Sequence, residues 1–247
     1  MSGHSKWSTI KRKKGAIDAK RSKIFSRIVK EIQVAVKEGG NEELSNPRLR
    51  LAMQNAKGAN MPKDNVQRAI SKASDEGANL QETTFEGYAP HGVAVFVECL
   101  TDNNNRTVSN IRAIFTKRGG SLGTNGSLGF VFDRKGVITV SREGRDPDEF
   151  QLEIIDAGVE EFEAEEDVFV ITTAMEDFGN VRKKLDEMGV EAQNAELQRI
   201  PNDTKKLPVE EAQKVLKMIE DFEDDDDVQN VYHNLEMTEE LMAAMEQ

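Results

Sequence analysis

Ten Lys or Arg residues fall among the first thirty positions, against one acid, Asp18. They start at Lys6, continue as the block Lys11-Arg12-Lys13-Lys14, and run on through Lys20, Arg21, Lys23, Arg27 and Lys30. Cations at this density neutralise phosphates and release condensed counterions, which gives affinity for a nucleic acid with little sequence information. His4 and Trp7 stand among them. Trp7, the only Trp of the chain, is either an anchor for a basic arm or a platform on which a base stacks. The residues assigned to nucleic-acid binding are therefore His4, Lys6, Trp7, Lys11, Arg12, Lys13, Lys14, Lys20, Arg21, Lys23 and Arg27.

The 247 residues carry a formal net charge of −12, but the charge is divided. Residues 1–72 hold 17 Lys or Arg and 6 Asp or Glu, a net of +11; the remainder holds 16 and 39, a net of −23. An acidic chain taken whole argues against a polyanion partner. The division reverses that inference for the first segment alone. Acidic domains behind a basic arm favour one binding face and discourage wrapping.

Other chemistry is sparse. His4, His91 and His233 are isolated and no Cys/His ligand spacing occurs, so no catalytic residue, no metal and no cofactor is expected. Gly119 to Gly126 is glycine-rich but lacks the Gly-Lys-Ser/Thr of a phosphate loop, and reads as a hairpin connection. Glu86, Glu98 and Asp102 are carboxylates without partners visible in the sequence. The acidic run 223–227 has no EF-hand spacing and reads as a solvated charge run. A single cysteine, Cys99, in an apolar run fits an inert buried thiol and a reducing compartment. No apolar run reaches the roughly 18 residues of a membrane span, and the basic start has no apolar h-region. A cytoplasmic location with no membrane partner is expected.

The positioning elements follow from periodicity. Residues 2–15 show none and read as an extended arm. From about Asp18 to Glu38, Ile24, Phe25, Ile28, Val29, Ile32, Ala35 and Val36 recur at helical spacing. Lys20, Lys23, Arg27, Lys30 and Lys37 fall on a separate arc, with Glu31 the main intruder. Asn46-Pro47 opens a second helix and residues after Pro62 form a third. That pair could act as a helix-turn-helix with Asp64, Asn65, Gln67 and Arg68 near a groove. Two strands around Ala89-Pro90-His91, a helix from Asn104 to Lys117 and a strand at Gly129–Phe132 come next. Residues 137–200 then read β-α-β-β-α-β, the split βαβ of ferredoxin-like folds. A helix after Pro208, a strand near Val228–Leu235 and a short acidic tail close the chain.

The expected fold is α+β. A three-helix domain with a basic arm spans 1–78, and a middle domain combines 79–133 with 207–240. A ferredoxin-like domain, 134–206, is inserted into the middle one, and both sandwich-like domains have mainly antiparallel sheets.

Gly3-His4-Ser5-Lys6-Trp7, Asp18-Ala19-Lys20-Arg21, Asn46-Pro47-Arg48-Leu49-Arg50, Asn60-Met61-Pro62, Arg68-Ala69-Ile70, Glu86-Gly87-Tyr88 and Asn105-Arg106-Thr107 resemble the motifs of the YebC/PmpR family. The specific motifs run through about residue 136, and order and length of elements carry the likeness further. Two departures stand out. Thr9 replaces a frequent Asn, and the family's Gly-Tyr-Gly-Pro-Gly-Gly loop stands here as Gly87-Tyr88-Ala89-Pro90-His91-Gly92. The resemblance implies a three-domain cytoplasmic protein that binds DNA and modulates transcription. It equally implies a rival role, because mitochondrial relatives activate translation of cytochrome c oxidase subunit I, and members are linked to ribosomes and to proline-rich stretches.

The expected function is thus a non-enzymatic DNA-binding regulator. The alternative is a ribosomal-RNA-associated translation factor using the same arm. An enzyme working at the 79–133 sheet is the remaining class. The acidic domains are assigned to self-association into a homo-oligomer or to other partners.

Overall fold

In the computed structural model the described backbone covers residues 17–76 and 79–245, with side chains described over 21–74 and 79–245. The fold is α+β with a helical N-terminal region and two four-stranded sheets. The chain divides into two compact units. One holds Asn79–Asp133, Arg199–Gln247 and the described part of Met1–Lys23; the other holds Ile24–Ala78 and Arg134–Gln198.

In the second unit, α1 (Ile17–Gly39) from Ile24 onward, α2 (Pro47–Gly58) and α3 (Lys63–Glu76) make a small bundle. Gly40, at φ 80°, ends α1. Asn46 is buried and links the two helices it separates. Its Nδ2 donates to the carbonyls of Ala35 (2.7 Å) and Gly40 (2.8 Å), while its Oδ1 accepts from Leu49 N–H (3.0 Å) at the start of α2. One side chain therefore satisfies orphan groups at both helix ends. The core joins Ile32, Ala35 and Val36 to Leu49, Ala52, Ala69, Ile70 and Ala73. Its alanines allow close helix approach.

The same unit contains β4 (Phe132–Ser141) from Arg134 onward, α5 (Pro147–Ile154), β5 (Val159–Ala164), β6 (Val168–Ala174), α6 (Phe178–Glu187) and β7 (Ala192–Pro201) as far as Gln198, numbered in chain order after three strands and one helix of the other unit. The sheet order is β5-β6-β4-β7. Each βαβ crossover thus has one strand inserted between its own two, which is the ferredoxin-like topology expected from the sequence. Asp146 caps α5, its Oδ1 accepting from the N–H groups of Asp148 and Glu149. The core packs Phe150 on Phe169, with ring centroids 5.0 Å apart, beside Ile138, Ile171, Val181 and Leu185.

In the first unit, β1 (Gln81–Ala89) pairs with β2 (Val93–Thr101) from Gln81↔Thr101 to Ala89↔Val93. α4 is Asn104–Lys117, β3 is Ser121–Leu122, α7 is Val209–Asp224, β8 is Val228–His233 and α8 is Glu239–Met245. The order is β3-β1-β2-β8, with the described pairings antiparallel. Apolar residues of α4 and α7 cover one face of this sheet. Phe115 and Phe222 meet edge-on at 4.8 Å, both fully buried. Burial of each such ring is worth about 1.5–3 kcal/mol.

Three local expectations change. Gly129–Phe132 is not a strand of this sheet: residues 125–131 form turns, and Phe132 opens β4, which pairs with β6. The position beside β1 is taken by the two-residue β3, because the Glu86 side chain holds the following loop in turns. The acidic tail contains α8, whose Leu241 is buried in the core.

Candidate nucleic-acid interface

Of the residues assigned to nucleic-acid binding, His4, Lys6, Trp7, Lys11, Arg12, Lys13 and Lys14 lie outside the described residues. Lys20 lies on α1, its side chain outside them. Arg21, Lys23 and Arg27 are described, and α1 positions all three.

Arg21 is exposed, while Lys23, Arg27 and Lys30 are half-buried. Val34 lies on the same arc as these lysines and is buried, so that arc is not a purely solvated one. Lys23 forms an ion pair with the Asp224 carboxylate at the end of α7 and also donates to the Asp224 carbonyl at 3.3 Å. The Asp224 side chain is 75% exposed, so the pair is screened and weak. Glu31, the acid beside the cationic arc, is met by Arg48 (3.2 Å), which also bridges to Glu38 (2.8 Å). A single guanidinium from α2 thus answers both Glu31 and Glu38 of α1.

The helix pair α2 and α3 is joined by Ala59–Pro62, with Asn60 left-handed at φ 55°. Asp64, Gln67 and Arg68 are exposed on α3 and Asn65 is half-buried, while Ala69, Ile70 and Ala73 face the core. α2 is fastened to the ferredoxin-like sheet. The Asn55 amide accepts from Ala195 N–H and donates to Ala195 C=O, both at 2.9 Å. Arg182 donates to Gln54 Oε1 at 2.8 Å, and burial lowers the Arg182 pKa. These contacts had no sequence signal, since Asn55 and Gln54 look like ordinary polar helix residues.

The carboxylates that looked unpartnered all have partners. Glu86 is buried and accepts from Gly126 N–H (2.7 Å) and Leu128 N–H (2.5 Å). Glu98 accepts from Arg199 (2.9 Å), whose guanidinium lies 3.8 Å from the Phe96 ring centroid. Asp102 pairs with Arg106 at 2.8 Å. Arg106 also reaches the buried Asp227, which accepts from Thr107 Oγ1 at 2.8 Å. These bonds, first to Asp227 and then to Asp102, raise the Arg106 pKa. The acidic run is therefore partly structural: Asp227 joins the start of β8 to the start of α4, and Asp225 accepts from Asn110 (2.9 Å). His91 adopts φ 63° and places Nδ1 3.4 Å from Glu211. Among the described residues no group of three or more His, Cys, Asp or Glu is arranged to hold a metal ion. Nor is any described helix long and apolar enough to cross a membrane.

Residues 5–76 match the model of the "TACO1/YebC protein N-terminal domain", and residues 80–235 match that of the "TACO1/YebC second and third domain". The chain belongs to the TACO1/YebC family. A relative from Amoebophilus asiaticus is 52% identical over 239 residues, covering 95% of this chain and 98% of its own. One from Chlorobaculum tepidum is 47% identical over 250 residues, covering all of both chains. Both are named probable transcriptional regulatory proteins. The crystal structure of a conserved hypothetical protein from Aquifex aeolicus superposes with a TM-score of 0.82 at 42% identity, covering 90% of this chain and 93% of that one. The TACO1/YebC N-terminal match contains α1 to α3 and most of the basic segment, so the family's first domain and the chain's positive charge coincide in sequence.

Proposed function

We propose that this protein is a non-enzymatic, DNA-binding transcriptional regulator. It holds phosphates through the basic arm (Lys6, Lys11, Arg12, Lys13, Lys14) and the start of α1 (Lys20, Arg21, Lys23, Arg27). The observation that carries this reading is the division of charge, +11 over residues 1–72 against −23 over the rest. The names of the relatives, probable transcriptional regulatory proteins, support the regulatory role. The ion pair of Lys23 with Asp224 is compatible with it, because an exposed pair of this kind exchanges for a phosphate at little cost.

The test is a titration of duplex DNA and of ribosomal RNA with the full chain at several salt concentrations. Each phosphate contact steepens the log–log salt dependence by about 0.9 on duplex DNA. Changing Lys11, Arg12, Lys13 and Lys14 to Glu flattens that slope by roughly 3 to 4 and weakens binding. Unchanged affinity and slope in this variant would remove the arm from the mechanism. Crosslinking in cells with sequencing of bound DNA and RNA then separates promoters from ribosomal RNA. Crosslinks confined to ribosomal RNA would replace the transcriptional reading with a translational one.

A further inference from the structure

Residues 119–132, Gly-Gly-Ser-Leu-Gly-Thr-Asn-Gly-Ser-Leu-Gly-Phe-Val-Phe, contain no charged residue in a chain that is 32% charged. The loop inside this stretch is nevertheless built with care. Glu86 places a buried carboxylate under it, accepting from Gly126 N–H (2.7 Å) and Leu128 N–H (2.5 Å), with Ser127 Oγ at 3.5 Å. The Glu86 carbonyl accepts from Gly123 N–H at 2.7 Å. Leu128 is fully buried beside Phe96 and Tyr232, so it anchors the loop from below. Asn202 secures the far side. Its N–H donates to the Val131 carbonyl (2.9 Å) and its Nδ2 to the Phe130 carbonyl (3.2 Å). The outcome is a fixed loop whose Phe130 side chain is 77% exposed.

An aromatic ring held at the surface by so many backbone bonds is displayed, not left over from packing. We propose that Phe130 is a stacking platform for an unpaired base of a single-stranded nucleic acid. The surroundings favour this partner over an apolar protein pocket. Thr124 and Asn125 are exposed and Ser127 is half-buried, which puts donors and acceptors for base edges beside the ring. Gly126 and Gly129 are exposed and clear the backbone of side chains. A protein hot spot would sit in a rim of further apolar contact, whereas Leu128 is turned inward and Val131 is half-buried. Residues 119–132 themselves bring no acid to the ring; Asp133, which follows them, is exposed with its Oδ1 3.4 Å from Asn202 Nδ2.

The inference rests on the proposed nucleic-acid binding, and the experiment separates the two. Full-length wild type, Phe130→Ala and Phe130→Trp are titrated by fluorescence anisotropy against single-stranded DNA, single-stranded RNA and duplex DNA. Phe130→Ala is expected to weaken single-strand binding about 5- to 100-fold with an unchanged salt slope. Duplex binding and the thermal midpoint stay as in wild type, and Phe130→Trp restores the affinity. The two single strands show whether the base comes from RNA or opened DNA. If Phe130→Ala binds every ligand as wild type does, the stacking role is overturned while nucleic-acid binding stands. If wild type binds none of the three, the proposed function falls first. A loss on duplex equal to that on single strands, or a change in slope, also refutes stacking on an unpaired base.

Discussion

Gly58→Ala should destabilise the protein, although helix propensity alone predicts the opposite. Gly58 is the last residue of α2, and alanine there would normally gain about 0.5–1 kcal/mol. A Cβ built at Gly58, however, lies 1.8 Å from the Gln193 carbonyl oxygen and 2.6 Å from its carbonyl carbon, both backbone atoms. Contacts under 3.0 Å do not occur, so α2 and the start of β7 must separate by more than 1 Å. That movement breaks the Asn55–Ala195 hydrogen bonds, each 2.9 Å. Two such bonds at about 1 kcal/mol each plus overpacking of about 1–3 kcal/mol outweigh the helix term. The net loss is about 2–4 kcal/mol. Gly179, inside α6, has nothing within 4 Å of its would-be Cβ, so Gly179→Ala should stabilise by about 0.5–1 kcal/mol. Urea unfolding followed by circular dichroism compares the two. A cycle with Asn55→Ala adds a second check: the double variant should lose much less than the sum, because Gly58→Ala already breaks the same bonds. A Gly58→Ala protein as stable as Gly179→Ala would refute the close approach of α2 to β7.

Three further outcomes follow from the geometry. Glu86→Gln puts a donor where two N–H groups donate, so it should cost about 1–3 kcal/mol and speed proteolytic nicking within residues 124–130; equal nicking rates would argue against the carboxylate as the loop's anchor. Asp221 has its pKa lowered, chiefly by the hydrogen bond from Arg118 (2.7 Å). Its contribution is therefore present above the ordinary aspartate value of about 3.9 and is lost as pH falls through the lowered folded value. The stability gap between wild type and Asp221→Asn should accordingly be constant from pH 7 to 5 and close towards pH 3; a gap that widens on acidification contradicts the pairing. His91→Gly should stabilise by up to about 1 kcal/mol, since a left-handed φ strains a side chain and the exposed contact with Glu211 offsets little. A clear drop in melting temperature would show that the Glu211 contact outweighs the strain.

Local pattern was enough for most of the elements. The helix from Asn104 to Lys117 is legible because Asn103 caps it, its apolar residues recur every three or four positions, and Gly119-Gly120 follows. The β-α-β-β-α-β order is legible for the same reason: period, caps and breakers all act within a few residues. The division of charge and the family motifs are also properties of the chain alone. Pairing is different, because it joins residues far apart. Nothing near Phe132 says that it opens a strand hydrogen-bonded to β6, since a short apolar run suits either sheet equally. Nothing in Glu86 announces that it organises a loop 40 residues away, nor in Asn55 that it meets Ala195 across 140. Lys23 and Asp224, 201 residues apart, read as a phosphate ligand and a solvated acid until the fold makes them a pair. The exposure of Phe130 is decided the same way: in sequence it is one more apolar residue of the strand expected at Gly129–Phe132. Only the turn held by Glu86, Leu128 and Asn202 puts its ring at the surface. Sequence determines which residues have the chemistry and which elements carry them. Tertiary structure decides which charges are already answered and which side chains are left facing outward, because burial and pairing depend on neighbours that only the folded chain supplies.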